Sequence, residues 1–531
     1  MNEKSKLKLW LPLLFSVMMI IGMVLGYRLR SNTQAVGSMF KFSQKRSPIQ
    51  EVLDLVMLKY VDKVDSDTLG NEAIQGMLSK LDPHSSFIPA NQLGDVNEVL
   101  QGNFQGIGIE FQIFQDTVNV LSVLPGGPSE KAGLMVGDKF LKVGDSVVTG
   151  KISSDGIRKL LRGPGGSTVN TTLLRNGRVL EARIQRGIIP IPSLEAGYLI
   201  APGTGYMRLN KFSENTYEEF MASLEQLQGL GMQSLILDLR GNGGGILGEA
   251  IDIADEFLDG DKLIVYTEGN NSPRIEYRAR RKGLFEKGKL ILLLDEQSAS
   301  ASEVLAGALQ DWDRAEIIGR RSFGKGLVQE QYNLSDGSAL RLTVARYFTP
   351  SGRSIQKPYD KGIDDYDNDI VNRYHHGELV NADSNKVANG KAYKTNAGKT
   401  VYGGGGIMPD VFIAADTTTG LKSLVALFQN NTLSNFTYLY YTTHTGQLNA
   451  FKDAAAFSTG FNWSDHDWND FIAFAAKDSV LLAGMPDSDK AYLSDRMKGL
   501  LARYRWRNEG YYRVLNPHDI VVQKALKILN P

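Results

Sequence analysis

Two residue types that could perform covalent chemistry follow an apolar run in the middle of the chain. The run Lys289–Asp295 has the length of a strand and is hydrophobic on both faces, as a central strand of a covered sheet is. Ser300 and Glu303 then have the S-x-x-E spacing of a capping box, which places Ser300 at the first turn of a helix. Unpaired backbone N–H groups and the positive end of the helix dipole would stabilise an oxyanion there. Lys325 follows in a glycine-flanked loop.

These residues allow two interpretations. A serine hydroxyl is a poor nucleophile until a neighbouring base takes its proton, and this stretch contains no histidine. A lysine can act as that base where burial lowers its pKa towards neutrality. The alternative makes Ser300 a plain helix cap and Lys325 an exposed loop residue. The serine cluster alone favours this alternative, because caps far outnumber nucleophiles.

Several motifs in order favour the first interpretation. Together they resemble the carboxyl-terminal processing (tail-specific) protease family of serine–lysine peptidases, over roughly residues 48–410. The matching segments are Ala299–Glu303, Phe323–Gln329, Leu237–Gly245, Ala345–Pro350 and Gly406–Asp410. The resemblance implies that Ser300 is the nucleophile, Lys325 the general base and Gln329 the group that orients the lysine.

A glycine-rich segment follows another apolar strand, Leu235–Leu239. Glycines between a strand and a helix let backbone N–H groups approach a substrate closely. The G-x-x-x-x-G-K-[ST] pattern of a phosphate-binding loop is absent. We therefore interpret the segment as half of an oxyanion hole, in which one N–H joins that of Ala301. The candidate donors are Gly243, Gly244 and Gly245.

Residues 92–187 resemble a PDZ domain. Gln105–Phe111 matches the loop and strand that take up a peptide C-terminus, and Gly126–Asp138 matches a helix and turn of bacterial PDZ domains. A bound tail would add a strand to the sheet edge while loop N–H groups hold its carboxylate. The candidate binding residues are Gly106, Ile107, Gly108 and Ile109. A glycine-rich hairpin loop is the alternative.

Arg162 has two equally supported interpretations. It matches an arginine that in some relatives links the bound PDZ domain to the active site. A solvated surface arginine is the alternative.

The N-terminus carries a targeting signal within residues 1–30. Three lysines (Lys4, Lys6 and Lys8) precede an apolar run, Leu9–Tyr27, whose length is near the lower limit for a bilayer span. No small-x-small site closes the run, so we expect an uncleaved anchor with the body outside the cytoplasm rather than a removed signal peptide. Helical periodicity predicts a helical region over 31–91. His84, in an Asp-Pro turn, is expected to be structural.

Composition excludes several function classes. Lys+Arg and Asp+Glu are both 59, so nothing indicates a nucleic-acid partner. No cysteine is present, which excludes disulfides and thiol catalysis. The histidines lack metal-ligand spacing. We expect neither a metal nor a cofactor.

Two segments lie outside the family motifs. A polar insert, 358–402, contains an acidic cluster without the glycine and distal glutamate of a calcium loop, and we expect a solvated loop. Residues 417–531 predict a helical extension with an aromatic core, which packs on the protease core or mediates homo-oligomerisation.

These patterns predict an α/β multidomain protein. It would comprise a helical N-terminal region, a PDZ domain, an α/β protease core over 188–416 and a C-terminal helical extension. The expected function is membrane-anchored cleavage of proteins near C-terminal tails captured by the PDZ domain. The rival hypotheses are an inactive peptide-binding scaffold of the cell envelope and a Ser–Lys amidase of small amides.

Overall fold

The computed structural model describes residues 16–25, 47–150, 152–381, 390–415, 422–482 and 484–530. The chain divides into two compact units, Met1–Met77 and Leu78–Pro531. The described residues of the first unit include the helices α1 (16–25), α2 (Pro48–Lys59) and all but the last residue of α3 (Ser66–Leu78).

Helix α1 lies within the apolar run that predicts a membrane anchor. Among the described residues, no helix is both long and apolar enough to cross a membrane. The rest of the predicted anchor, 9–15 and 26–27, lies outside the described residues, as do 31–46 of the predicted helical region.

The second unit begins with a strand that joins the protease core. The turn after α3 leads into β1 (Ser86–Ile88), which pairs antiparallel with β18 (Ala339–Phe348). Helix α4 (Ala90–Gln101) follows and ends at Gly102, whose φ of 69° closes the helix in the left-handed conformation that glycine adopts freely. Residues 86–88 are therefore part of the core sheet, within a range expected to be helical.

The PDZ region is a six-stranded sheet with two short helices. Its sheet has the order β3-β4-β5-β7-β8, with β6 on β5, so β3 is an edge strand. A separate pair, β2 with β9, connects the region to the core. Its elements are β2 (Asn103–Gly106), β3 (Ile109–Phe114), β4 (Thr117–Val123), α5 (Pro128–Lys131), β5 (Lys139–Val143), β6 (Ser146–Val147), α6 (Ser154–Leu161), β7 (Thr168–Arg175), β8 (Arg178–Gln185) and β9 (Gly187–Pro190).

The core is built on a largely parallel sheet. Its order is β10-β11-β12-β15-β16-β21, and every pair except β10 with β11 is parallel. Its elements are β10 (Leu194–Ala201), β11 (Thr204–Leu209), α7 (Thr216–Gly229), β12 (Ser234–Asp238), α8 (Leu247–Asp255), β15 (Lys289–Leu294), α9 (Ala301–Asp311), β16 (Glu316–Gly319) and β21 (Val411–Phe412). Apolar side chains cover both faces of β15, which explains its uninterrupted hydrophobic sequence.

A second sheet of the core supplies the loop that carries Lys325. It contains β1, β18, β13 (Leu263–Glu268) and β14 (Ile275–Arg278), with β17 (Leu327–Asn333) paired to β18. The insert adds α10 (Ile363–Asp367), α11 (Asp369–His375), β19 (Ala392–Lys394) and β20 (Thr400–Tyr402). Its residues 382–389 lie outside the described residues.

The C-terminal extension is helical, as predicted. Helices α12–α17 enclose an aromatic core, and α18 packs beneath the parallel sheet against Ile236, Ile291 and Leu293. The helices are α12 (Lys422–Gln429), α13 (Thr432–Thr443), α14 (Thr445–Asn449), α15 (Ala454–Gly460), α16 (Asp465–Lys477), α17 (Asp487–Leu515) and α18 (Ile520–Leu529). Helix α17 breaks at Trp506 and Arg507, whose backbone angles are not helical.

Candidate active site

Ser300 occupies the position immediately before α9, at the carboxyl end of β15. Its backbone has φ 56° and ψ −115°, outside the regions that non-glycine residues occupy freely. Such a conformation costs about 1–3 kcal/mol and persists only where the surroundings enforce it. The side chain is almost buried, with 7% of its residue surface exposed.

The carboxylate of Glu303 enforces this geometry. It is fully buried, and four donors converge on it. Oε1 accepts hydrogen bonds from Ser322 Oγ at 2.5 Å and from the N–H of Gly324 at 2.7 Å. Oε2 accepts from the N–H groups of Ser300 at 2.9 Å and Lys325 at 2.8 Å. Burial raises the pKa of Glu303 while these donors oppose the rise. One carboxylate therefore ties the backbones of both predicted catalytic residues together.

Lys325 lies in a half-buried position that lowers the pKa of its amine. Burial is the main cause that lowers its pKa, and the Arg341 cation lowers it further. The carboxylates of Glu303 and Asp82 act in the opposite direction. Within the described chain, Lys325 Nζ forms no hydrogen bond with Ser300 Oγ. The structure thus brings the two residues to one cluster without joining their side chains.

The Ser300 hydroxyl instead faces the phenol of Tyr347, on β18. Burial raises the pKa of Tyr347 to about 12, and the neighbouring Ser300 hydroxyl partly offsets the rise. A phenol with this pKa remains protonated.

The glycine loop approaches the serine closely. A Cβ added to Gly244 would lie 2.7 Å from Ser300 Cβ and 2.9 Å from the nitrogen of Ala301. Gly244 also has φ +95°, a backbone conformation that favours glycine, so both the close contacts and the backbone angle exclude a side chain here. Asn242 fastens the loop, because its carbonyl accepts the N–H of Ala299 at 2.9 Å and the hydroxyl of Ser302 at 3.0 Å.

The predicted oxyanion donors differ in availability. The N–H of Gly244 is already bound to Asn242 Oδ1, at 2.9 Å. Among the described residues, no acceptor takes the N–H groups of Gly243, Gly245 or Ala301. Within this part of the chain the N–H of Ala301, at the start of α9, and those of Gly243 and Gly245 are therefore unoccupied donors, and their role in binding an oxyanion remains a prediction.

Gln329 contacts Thr343 rather than the lysine amine. Its Nε2 donates to Thr343 Oγ1 at 3.3 Å, and that hydroxyl donates to Asp82 Oδ1 at 2.9 Å. No hydrogen bond links Gln329 to Lys325 in the part of the chain that the structure describes. Its orienting role remains a prediction.

The turn that contains His84 lies beside the same cluster. Burial lowers the pKa of His84 to about 4, and the Lys325 cation contributes to the shift. Its Nε2 lies 2.8 Å from the hydroxyl of Tyr366, which belongs to the insert. His84 is therefore neutral and bound within the fold, as a structural histidine is.

The insert is not the solvated loop that its composition predicts. Tyr366 and Arg373 are buried against the lysine loop. Arg373 donates to the carbonyls of Arg321 at 2.7 Å and Ser322 at 3.1 Å, and its guanidinium pairs with Glu378 at 2.9 Å. Buried contacts offset the polarity of the segment, so the insert braces the loop that leads to Lys325.

The predicted peptide site of the PDZ region is a pocket of about 230 Å³. It is lined by Phe104, Gly106, Ile107, Gly108, Ile109, Phe111, Arg158, Leu161 and Arg162. The structure thus brings all five predicted PDZ residues together. Their role in binding remains a prediction.

Arg162 is anchored by α4. Its guanidinium pairs with Asp95 at 2.8 Å and Glu98 at 2.9 Å, and it stacks over Phe104. Arg162 is therefore an ion-paired residue, and neither interpretation given for it from sequence is decided by these contacts.

Two important residues were not assigned to the site from sequence. The sequence indicates Glu303 only as part of a capping box, and it places Tyr347 only within the matched segment Ala345–Pro350. The signal for Glu303 was its place within the serine motif, whereas nothing in the sequence pairs Tyr347 with Ser300, because β18 and α9 meet only in the fold.

Comparisons with known proteins match most of the chain. Residues 203–366 match Peptidase family S41, and residues 105–185 match the PDZ domain. Residues 27–91 match the Activating protease CtpB N-terminal domain. Residues 424–507 match a Family of unknown function (DUF8443).

Similar proteins include curated proteases and a solved structure. A carboxy-terminal-processing protease of Bartonella bacilliformis is 36% identical over 312 residues, which cover 58% of this chain and 71% of that protein. A probable CtpA-like serine protease of Staphylococcus haemolyticus is 33% identical, over 68% of this chain and 73% of that protein. The photosystem II D1 C-terminal processing protease is 33% identical with a TM-score of 0.33, over 57% of this chain and 82% of that chain.

Proposed function

Because this chain belongs to the S41 peptidase family and is a carboxy-terminal-processing serine protease with a PDZ domain, we propose that Ser300 is its nucleophile and Lys325 its general base. The observation that carries the proposal is the buried Glu303 carboxylate, which binds the backbone N–H groups of both residues. A second support is the lowered pKa of Lys325, because only an uncharged amine is able to accept the serine proton.

The proposed reaction is acyl transfer through a covalent intermediate. Ser300 Oγ turns from Tyr347 towards Lys325, loses its proton to the amine and attacks the scissile carbonyl carbon. The N–H of Ala301 and that of Gly243 or Gly245 bind the resulting oxyanion. Lys325 returns its proton to the leaving amine as the peptide bond breaks. A water molecule, deprotonated by the same lysine, then hydrolyses the ester.

The PDZ domain selects substrates by their C-terminal tails in this proposal. The edge of β3 is open within its sheet, so an extended peptide is able to pair with it. The adjacent pocket, at about 230 Å³, suits one apolar terminal side chain beside the N–H groups of Gly106–Ile109. A captured tail raises the local concentration of a scissile bond upstream of it.

We also propose that the N-terminal apolar segment anchors the protein, with its catalytic body outside the cytoplasm. The support is the sequence pattern of three lysines followed by Leu9–Tyr27. The full-length chain is expected in the membrane fraction after alkaline extraction, and a chain that lacks residues 1–30 in the soluble fraction. Release of the full-length chain into the soluble fraction by alkaline treatment would contradict the anchor. Homo-oligomerisation through the helical extension stays a prediction.

The catalytic assignment is tested with a fluorophosphonate label and peptide substrates. The protein should be labelled and should cleave peptides with an apolar C-terminus, whereas Ser300→Ala should lose both activities with an unchanged circular dichroism spectrum. Ser335→Ala, at an exposed serine, is the matched control. Turnover by a folded Ser300→Ala variant would refute the assignment. Stoichiometric peptide binding without turnover by the wild type would support the inactive scaffold, and preferential hydrolysis of small amides the amidase.

A further inference from the structure

A second cavity lies where the PDZ domain, the connector after β9 and the C-terminal extension meet. Its volume is about 360 Å³. It adjoins the tail pocket, because Phe104, Gly108 and Ile109 line both. Ile189 of β9 and Leu194 of β10, at the two ends of the connector, contribute apolar side chains to its wall. The two cavities therefore form a continuous depression that begins at the predicted carboxylate-binding loop.

One residue that lines this second cavity, here called the junction cavity, carries a buried and unsatisfied acceptor. Asn210 lines the cavity, and its Oδ1 is buried without a hydrogen-bond partner. Buried side-chain acceptors in folded proteins are nearly always satisfied, so an orphaned one requires an explanation. The residues beside Asn210 bind the glycine loop: the carbonyl of Leu209 accepts from Asn242 at 3.0 Å, and the N–H of Phe212 donates to Gly244 at 3.0 Å. The cavity thus extends from the tail pocket to the segment that supports the oxyanion loop.

The C-terminal extension contributes an arginine in a strained conformation. Arg507, at the break of α17, has φ 57° and ψ −155°, close to a region that only glycine occupies freely. Its guanidinium is exposed and donates to the carbonyl of Val123 at 3.1 Å. No ion pair involves Arg507 among the described residues. Glycine would occupy this position with less strain.

The carboxylates in the cavity wall are bound to other groups. Glu110 pairs with Arg503 at 3.0 Å. Glu195 pairs with Arg208 at 3.1 Å and accepts from the hydroxyl of Tyr512 at 2.8 Å. Neither carboxylate pairs with Arg507, so the cavity wall contains one unpaired cation and one residue, Asn210, whose buried acceptor has no partner among the described residues.

We propose that the junction cavity is a substrate subsite for the extended polypeptide segment that precedes the captured tail, and that it favours an acidic side chain in that segment. Asn210 Oδ1 accepts a backbone N–H of the segment, Arg507 pairs with its carboxylate, and the connector wall contacts its apolar side chains. The inference rests on the proposed tail capture. It gives the C-terminal extension a function, because Arg507 belongs to that extension.

The subsite is tested by binding to the full-length Ser300→Ala variant, which separates binding from cleavage. Fluorescent peptides share one apolar four-residue tail, and a single Glu or Gln is scanned through the eight positions before it. Fluorescence anisotropy should show that Glu binds about two- to fivefold more tightly than Gln at one or two positions, the range of a partly exposed ion pair. The preference should weaken at high salt.

Variants of Arg507 and Asn210 identify the groups responsible. Arg507→Gln should remove the Glu preference, Arg507→Lys should retain part of it, and Arg178→Gln, at an exposed PDZ arginine, should leave it unchanged. Arg507→Gly should remove the preference and raise the melting temperature, because the strain is relieved; this combination excludes misfolding as the cause. Asn210→Ala should weaken the binding of the long peptides and leave the binding of the four-residue tail unchanged.

The outcomes separate this subsite from the proposed function. Equal affinities of the Glu and Gln peptides at every position, or a Glu preference that persists in Arg507→Gln, would overturn the subsite. Failure of the four-residue tail to bind would overturn tail capture, while the scan of the longer peptides still decides the subsite. Loss of catalysis in Ser300→Ala plays no part in either result, because every measurement uses that variant.

Discussion

Replacing Glu303 with glutamine tests whether one buried carboxylate organises the catalytic cluster. Its four donors are divided equally: two contact Oε1 and two contact Oε2. A glutamine has one acceptor oxygen and one amide NH2 group. With the amide nitrogen in the place of Oε2, the N–H groups of Ser300 and Lys325 face a donor and lose their hydrogen bonds. With the amide nitrogen in the place of Oε1, the N–H of Gly324 loses its hydrogen bond, whereas the Ser322 hydroxyl is able to accept from the amide. Glu303→Gln therefore cannot satisfy the pocket although it matches the glutamate in shape.

The expected loss follows from the donors left unpaired. Each buried polar group left unsatisfied costs about 1–3 kcal/mol. At least one donor is lost in either orientation, so the free energy of unfolding should fall by at least about 1–3 kcal/mol, against a total of about 5–15 kcal/mol for a typical folded protein. The lost donor is the N–H of Gly324 in one orientation, and those of Ser300 and Lys325 in the other. Activity should fall by more than tenfold, because either orientation disturbs the loop that holds Lys325, the proposed base.

A matched control is available in the same domain. Glu219 also binds two backbone N–H groups, those of Ser193 at 2.7 Å and Leu194 at 2.9 Å, but both contact the same oxygen, Oε2. In Glu219→Gln the amide oxygen is able to keep both bonds, so stability should change little. Urea denaturation and kcat/KM on a tail-bearing peptide measure both variants. Equal denaturation midpoints and equal activities for the two variants would refute the role assigned to Glu303.

Two further predictions concern the groups around Ser300 and Lys325. Arg341→Gln removes a cation that lowers the pKa of Lys325. Since the amine must be neutral to act as a base, kcat/KM should rise with pH through that pKa, and the midpoint of the rise should move to higher pH in the variant. An unchanged or lower midpoint in the pH profile would contradict the lysine as base. Tyr347→Phe removes the phenol hydroxyl that lies near the Ser300 hydroxyl. If that phenol restrains the serine, fluorophosphonate labelling of Ser300 should accelerate roughly fivefold, the equivalent of about 1 kcal/mol for one hydrogen bond; slower labelling would instead make the phenol an aid to catalysis.

Local patterns predicted the architecture well. The uninterrupted hydrophobicity of Lys289–Leu294 required a strand covered on both faces, and it lies at the centre of the parallel sheet. The family resemblance is confirmed, and so is the combination of PDZ domain, α/β core and helical C-terminal extension. Both results depend on short-range patterns or motif order, which a sequence displays directly.

Long-range contacts were not predictable in the same way. The insert appeared solvated because most of its residues are polar, but Tyr366 and Arg373 are buried and brace the lysine loop. Their partners are tens of positions away in the sequence, and no periodicity links the two segments. The break of α17 at Arg507 is equally invisible in sequence, since neither proline nor glycine marks it.

The two interpretations of Ser300 that the sequence offered describe one geometry. As a helix cap, Ser300 must leave the helical conformation, and its φ of 56° does so. That departure exposes the next N–H, of Ala301, which has no acceptor among the described residues. The capping glutamate then accepts the N–H of Ser300 and, with the same oxygen, that of Lys325. A capping box therefore does more here than start a helix, because its acidic member also fixes the loop of the proposed base beside the nucleophile.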